Sequence, residues 1–262
     1  GVVDDRDLAL GHPESAPHLM PVQRADLSRQ PGDRRHHECP VRIDVEHVAH
    51  VARRVADAGT AADSSVTNVA EASYPTKAMH KFLANLQASD GPLLLDLGPV
   101  VGSNVTFFGE QLGCRLRVED IAKDIDRHVK DNTIEQLPEF FAKRFKEAPA
   151  TVDGILCWDI LDYLDRPAAQ SLATALSKLL KPDGCLLGFF STANSPEPVY
   201  TKYVVVDEST LRYRTYPASR PRQRSLLNGD IIKLFKDLRV TDSFLMKSKV
   251  REMLFRKPAP RI

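Results

Sequence analysis

Apolar positions along this chain change their spacing several times, and each change marks an element. Over residues 44–58 (DVEHVAHVARRVADA), Val45, Val48, Val51, Ala52 and Val55 recur at helical spacing, with Asp44 placed to cap the start. A second helix is predicted over 76–88, carrying Met79, Phe82, Leu83 and Leu86 on one face. The small, polar stretch 59–74 between them reads as a linker. From residue 92 the pattern turns into short continuous apolar runs separated by helical stretches. Leu93, Leu94 and Leu95 make a run of the kind that a central strand covered on both faces requires. A short helix over 105–112, a strand over 115–120 and a helix over 134–148 follow, with Pro138 shifting the start of the last by a turn. An apolar strand begins at Val152, a helix covers 168–180, residues 179–184 turn, and 185–190 is a further buried strand. Residues 228–238 give one more helix, with Ile231, Ile232, Leu234, Phe235 and Leu238 as its buried stripe. Strand and helix in alternation predict an α/β fold with a doubly wound, mostly parallel sheet.

One insertion breaks that alternation. Residues 200–207 (YTKYVVVD) and 211–216 (LRYRTY) alternate like a hairpin joined at Glu208-Ser209, within an insertion spanning 199–224. The SRPRQR stretch after it concentrates Arg220, Arg222 and Arg224. Aromatics beside arginines stack a flat substrate or hold an acidic one; a solvated loop is the plainer reading. At the other end, 1–42 is rich in Pro, Asp, Arg and His without an apolar period and reads as a disordered tail. His36, His37, Glu38 and Cys39 crowd together there, but a flexible segment has no surrounding groups to orient metal ligands, so no metal site is assigned. The expected organisation is a tail (1–42), a helical cover (43–90) and a main domain (91–262).

Composition narrows the partners. Over 262 residues the hydrophobic share is 42%, enough for a proper core, and the net charge of +1 gives no general pull toward nucleic acid or anionic membrane. No apolar run approaches the length needed to span a bilayer and no secretory signal pattern opens the chain, so a cytoplasmic address is expected. Cys114, Cys157 and Cys185 and the distant Cys39 form no CxxC pair, and Cys157 and Cys185 fall in apolar strands, which predicts buried thiols.

The chemistry concentrates in PLLLDLGPVVGSN, residues 92–104. A buried strand ends in Asp96 and breaks into a turn at Gly98, and Gly102 opens the next helix, the layout by which open α/β sheets hold nucleoside cofactors. With Val100 in place of a middle glycine the stretch does not spell GxGxxG, which favours a cofactor without a pyrophosphate. Asp120 lies 24 positions after Asp96, near the spacing at which an acid meets ribose hydroxyls. The plain alternative is that Glu119 and Asp120 end an exposed strand.

Three blocks in order, LLLDLGPVVG (93–102), VDGILCWDILDYLDRP (152–167) and LLKPDGCLLGFF (179–190), make the chain resemble the class I S-adenosylmethionine-dependent methyltransferases. The resemblance covers 92–257, including a final stretch, 242–257, similar to that family's closing antiparallel strand pair. It implies a Rossmann-like sheet of the seven-stranded type and S-adenosyl-L-methionine as cofactor. Asp96, Gly98, Gly102 and Ser103 would line the methionine end of the cofactor, Glu119 or Asp120 would bind its ribose, and Trp158 and Asp159 would face the cleft. Two departures stand out. Val100 would narrow the space beside the loop, and residues 121–152 are helical in character where a third strand and an adenine-contacting acid belong, Asp131 being the nearest candidate.

Methyl transfer from a sulfonium needs an aligned nucleophile, exclusion of water and, for a protonated nucleophile, a base. Asp159, Asp162 and Tyr163 are the polar groups expected nearest the methyl, with Asp159 as base; helix capping by Asp162 is the alternative. The implied reaction is methylation of an oxygen, nitrogen or carbon of a small molecule. Trp158-Asp159-Ile160-Leu161 stands where amino-adenine methyltransferases carry an NPPY-like turn, which argues against DNA. Two other functions fit parts of the pattern: a methyltransferase-like binding module without turnover, and a nicotinamide-dependent oxidoreductase. The second requires a tight GxGxxG turn and a Tyr/Lys proton-donating pair that this chain does not supply.

Overall fold

In the computed structural model, residues 73–145, 148–193, 197–223 and 225–259 are described, all within the unit Ile43–Ile262. The expected tail over 1–42 and the helix over 44–58 lie outside the described residues. A three-residue strand, β1 (Ser73–Pro75), leads into helix α1 (Met79–Leu86), and then β2 (Leu93–Asp96) opens the main sheet. Helix α2 (Gly102–Val105) widens at once into a π-turn (Thr106–Gln111) before β3 (Arg115–Val118). Helix α3 (Ile121–Lys130), a 3-10 turn (Ile134–Gln136) and helix α4 (Leu137–Arg144) separate β3 from β4 (Val152–Trp158). A 3-10 turn (Ile160–Tyr163) and the long helix α5 (Arg166–Leu179) lead to β5 (Leu180–Ser191). The hairpin β6 (Val199–Asp207) and β7 (Thr210–Pro217), helix α6 (Asn228–Leu234) and the pair β8 (Arg239–Leu245) and β9 (Val250–Arg256) complete the order.

The main sheet has six strands in the order β3-β2-β4-β5-β9-β8. Strands β3, β2, β4 and β5 run parallel, while β9 is antiparallel to both β5 and β8, which closes the sheet as the family resemblance implies. Alternate residues of the central strands enter opposite cores. Leu95, Ile155, Cys157 and Leu186 pack with α3, α4, α5 and α6 on one face, whereas Leu94, Leu156, Trp158 and Leu187 pack with α1, Phe108 and the hairpin on the other. Both faces are therefore covered, which is why the central runs of these strands, residues 93–95, 154–158 and 185–190, are apolar. Cys114, Cys157 and Cys185 are buried and unbridged, as their apolar settings imply.

The sheet is one strand short of the seven-stranded type. Among the described residues nothing extended lies between β3 and β4, because the apolar residues there, Ile121, Ile125, Leu137 and Phe141, recur at helical spacing and build α3 and α4 instead. Strand β3 thus ends the sheet, and Arg115 and Arg117 lie on it.

Local chemistry explains the remaining shifts of boundary. Pro138 sits in the first turn of α4, so the apolar stretch from residue 134 starts as a 3-10 turn and becomes α-helical only at Leu137. The turn expected over 179–184 is instead an irregularity within β5, where pairing jumps from Val152↔Leu180 to Gly154↔Cys185 and Asp183 takes a positive φ of 63°. The hairpin falls where its alternation places it, with Glu208-Ser209 at its turn, but its outer partner β1 was hidden in the polar stretch 59–74. Three residues are too few to show a period.

Helix α1 is fixed from a distance. All four residues of its predicted face, Met79, Phe82, Leu83 and Leu86, are buried. A Cβ at Gly154 would stand 2.7 Å from Leu86 Cδ1 and 3.1 Å from Phe82 Cζ, so the helix rests directly on β4. Its N-terminus has no local carboxylate. The Lys77 and Ala78 N–H groups donate to Glu252 Oε2 on β9, both at 2.9 Å, and the fully buried Glu252 thereby caps a helix more than 170 residues away in sequence. Replacing Glu252 with Ala removes the acceptor from one buried and one partly buried donor and is expected to cost about 2–4 kcal/mol of unfolding free energy, against about half that for Gln. Urea unfolding of the two variants measures both.

Candidate functional site

Strand β2 is where the sheet's order reverses: β3 lies on one side and β4 on the other, and ligands of open α/β sheets settle beyond the carboxyl ends of such strands. A cavity of about 200 Å³ opens at that place. Its floor is the Gly98-Pro99 turn and Trp158-Asp159, one wall is the start of α3 with Asp120 and Asp126, and its roof is the hairpin through Tyr200, Thr201, Tyr203 and Tyr216.

Asp96, at the end of β2, is buried beneath this floor. Its Oδ1 accepts from the Gly98 N–H at 2.8 Å and from Trp158 Nε1 at 2.6 Å. Burial pushes its carboxyl up to about 6, against the pull of those two donors. Gly98 is glycine for a packing reason: a Cβ there would stand 3.0 Å from both Cδ1 and Nε1 of Trp158. Gly102 meets no such neighbour and simply opens α2, next to the exposed Ser103. Val100 is 55% exposed and outside the cavity lining, so the side chain expected to narrow the loop turns to solvent instead.

The two acids after β3 have separate surroundings. Glu119 accepts from Arg117 Nε at 2.7 Å and pairs with Arg144 on α4, and it does not line the cavity. Asp120 does line it, while capping α3 through the Lys123 N–H at 3.2 Å. Asp131 is the C-cap of α3, at the opposite end of ten helical residues or about 15 Å of axis. Asp131, the candidate for the adenine-contacting acid, therefore does not reach the cavity, and the further acid that lines it, Asp126, comes from α3 and not from a strand.

The acid-rich turn after β4 is layered. Asp159 lines the cavity and is 4% exposed; its Oδ2 accepts from Arg222 Nη2 at 2.6 Å, and that guanidinium also donates to Thr201 Oγ1 at 2.8 Å. Burial raises the Asp159 carboxyl and the Arg222 charge pulls it back. Asp162 and Tyr163 stand behind it, away from the cavity. Asp162 Oδ2 accepts from the Ser191 N–H at 2.8 Å, and Tyr163 donates to the Val199 carbonyl at 2.8 Å, with Asp159 Oδ2 at 3.5 Å. Burial and the neighbouring Asp159 charge push Asp162 up to about 8. The structure thus brings Asp159, Asp120, Gly98 and Trp158 to one cavity and places Asp162, Tyr163, Glu119 and Asp96 in its support.

Sequence patterns missed the residues that close the roof. Asn104 donates to the Tyr203 carbonyl at 2.9 Å and accepts from the Val205 N–H at 2.8 Å, clipping β6 to α2. Tyr200 donates to Asp126 Oδ1 at 3.1 Å, an oxygen that also accepts from the Ser219 N–H at 3.0 Å. Arg222, in the stretch that reads as a solvated loop, is the most consequential of them, and three arginines spaced by two were its only signal.

The raised carboxyls carry a pH signature. Asp96 near 6 and Asp162 near 8 hold protons in the folded chain that the unfolded chain releases near pH 4, so their stabilisation is complete below about pH 4 and is lost as pH rises through 8. Asp162→Asn keeps an oxygen for the Ser191 N–H and removes the titration. Its urea midpoint is expected to fall less than that of the unsubstituted chain between pH 6 and pH 9.

No family profile and no characterised protein sequence matches the chain. Among solved structures it is similar to the 1,6-didemethyltoxoflavin-N1-methyltransferase of Burkholderia thailandensis, seen with 1,6-didemethyltoxoflavin and S-adenosylhomocysteine. Identity is 18% over 81% of this chain and 90% of that one, with a TM-score of 0.45. The N-methyltransferase NodS of Bradyrhizobium japonicum is 18% identical over 69% of this chain and 94% of its own, with a TM-score of 0.39. An S-adenosylmethionine-dependent methyltransferase of Aquifex aeolicus is 13% identical over 68% and 88%, with a TM-score of 0.40.

Proposed function

We propose that this chain binds S-adenosyl-L-methionine at the β2–β4 switch point and transfers its methyl group to an oxygen, nitrogen or carbon of a small molecule. The observation that carries the reading is the cavity itself, in which a glycine turn, an acid at the end of the neighbouring strand and an acid after β4 meet. The three sequence blocks that resemble the methyltransferase family fall on that turn, on β4 with its acid turn, and on the α5–β5 junction.

The donor set suits such a ligand. Asp120 offers carboxylate oxygens to a vicinal diol, and the Gly98 turn brings backbone close to the ligand's amino-acid end. When bound, the cofactor supplies a methyl group already activated by positive sulfur. The chain's own part is to hold, orient and dry the site: Tyr203 excludes water under the hairpin, and Asp159 takes the proton of a protonated nucleophile. Burial raises the Asp159 carboxyl, and the Arg222 charge beside it opposes that rise. Asp162 and Tyr163 position this pair rather than touch the acceptor.

A second reading, a cofactor-binding module without turnover, is favoured by Glu119 being held by two arginines and by the absence of a third-strand acid among the described residues. Calorimetric titration with S-adenosylhomocysteine is expected to give micromolar binding, about −8 kcal/mol. Asp120→Ala is expected to weaken it by about tenfold or more. A labelled-methyl transfer screen on metabolite extracts then separates the readings: transfer that Asp159→Asn suppresses supports the enzyme, binding without any transfer supports the module, and absence of binding removes both.

A further inference from the structure

The indole of Trp158 lies where the proposed ligand's amino-acid end belongs. Its Cδ1 and Nε1 crowd the Cβ side of Gly98, and its N–H is bonded to Asp96 at 2.6 Å, so the acid and one side of the turn read from the sequence as cofactor contacts are already covered by a side chain of the chain itself. The space left is correspondingly small. About 200 Å³ remains, below the roughly 300–1,000 Å³ of sites that enclose small organic ligands.

The plug is held in a strained backbone. Trp158 has φ of +48°, a region that bulky residues avoid, at the last position of β4. The backbone there pairs with Gly188 beside a shift of register, and the indole itself is held by the bond to Asp96, a parallel stack on Tyr203 with ring centres 5.0 Å apart, and an edge contact with Phe189 at 5.6 Å. Tyr203 in turn sits on the hairpin, which Asn104 and Arg222 fasten to the rest of the site through β6. An indole whose bond to Asp96 and stack on Tyr203 face the site is held by contacts that a ligand can replace while the backbone stays paired, and is suited to two positions.

Resting on the cofactor reading above, we propose that Trp158 is a displaceable plug that makes the pocket selective for ligands carrying an ammonium group. When the indole swings off Gly98, the buried Asp96 carboxyl loses its side-chain donor. A ligand that supplies a cationic N–H in its place keeps Asp96 satisfied, whereas one lacking that group leaves a buried acid without compensation. S-adenosylhomocysteine carries the amino-acid ammonium; 5′-methylthioadenosine shares its nucleoside and thioether but not that group.

Trp158 is the only tryptophan in the chain, so its signal needs no assignment. The full chain labelled with 5-fluorotryptophan is titrated with each ligand and followed by fluorine NMR and intrinsic emission. S-adenosylhomocysteine is expected to move the Trp158 resonance and alter its emission as the ring leaves Tyr203, and methylthioadenosine to leave both in place. Trp158→Phe, which keeps a ring but no donor, is expected to bind S-adenosylhomocysteine about tenfold more tightly by calorimetry, since less of the closed form must be displaced. Equal affinity in the two forms with an unmoved resonance overturns the plug and leaves the cofactor reading standing. A resonance moved equally by both ligands overturns the ammonium selectivity. No binding of S-adenosylhomocysteine to the unsubstituted chain, to Trp158→Phe or to Trp158→Gly, in which glycine accepts the positive φ, overturns the cofactor reading and the plug together. Should the variants fail to fold, the labelled unsubstituted chain still decides.

Discussion

The contact between Asp159 and Arg222 is the hinge of this architecture. An acid at the end of β4 is out of water, and the guanidinium that balances it comes from the segment that follows the hairpin. Removing either partner leaves a buried charge, so the returning chain must lie across the mouth of the sheet. From that follow the bond of the Gln223 N–H to the Asp162 carbonyl at 2.6 Å and of the Ser219 N–H to Asp126 at 3.0 Å. Together they seat β6 and β7 as a roof. A site that would otherwise be a shallow crevice at the strand ends becomes a partly roofed one with aromatic walls.

The fold was legible in the sequence because its determinants are periodic. Continuous apolar runs marked β2, β4 and β5, helical spacing marked α1, α5 and α6, and alternation marked the hairpin. Each signal spans enough residues for its period to show. The same logic explains the missing strand, since the residues after β3 repeat at helical spacing and form helices. Strand β1 escaped because three residues carry no period, and the π-turn after α2 because its residues differ little from those of an ordinary helix.

The site was legible only in part. Gly98, Asp120, Trp158 and Asp159 were picked out by position after a strand, and position after a strand decides which residues reach the cavity of an open sheet. Which acid of a pair faces inward is another matter. Glu119 and Asp120 are adjacent and chemically alike, yet Arg144, 25 positions onward, occupies one of them. Arg222 and Asn104 act through tertiary contacts about 60 and 100 residues long in sequence, and no local pattern encodes such a reach. Charge balance at a buried acid is a property of the assembled chain.

The missing side chain at Gly154 has mechanical reach. Helix α1 sits as low as it does because nothing projects from β4 beneath Leu86 and Phe82. The same helix follows β1, which edges β7, and the Thr76 N–H just ahead of it holds the hairpin tip through the Ser209 carbonyl at 2.7 Å. One methyl group introduced in the middle of the sheet would press on the far ends of Leu86 and Phe82, the side chains by which that helix rests on the strand. The helix that continues the outer strand thus owes its seat to an atom that is not there.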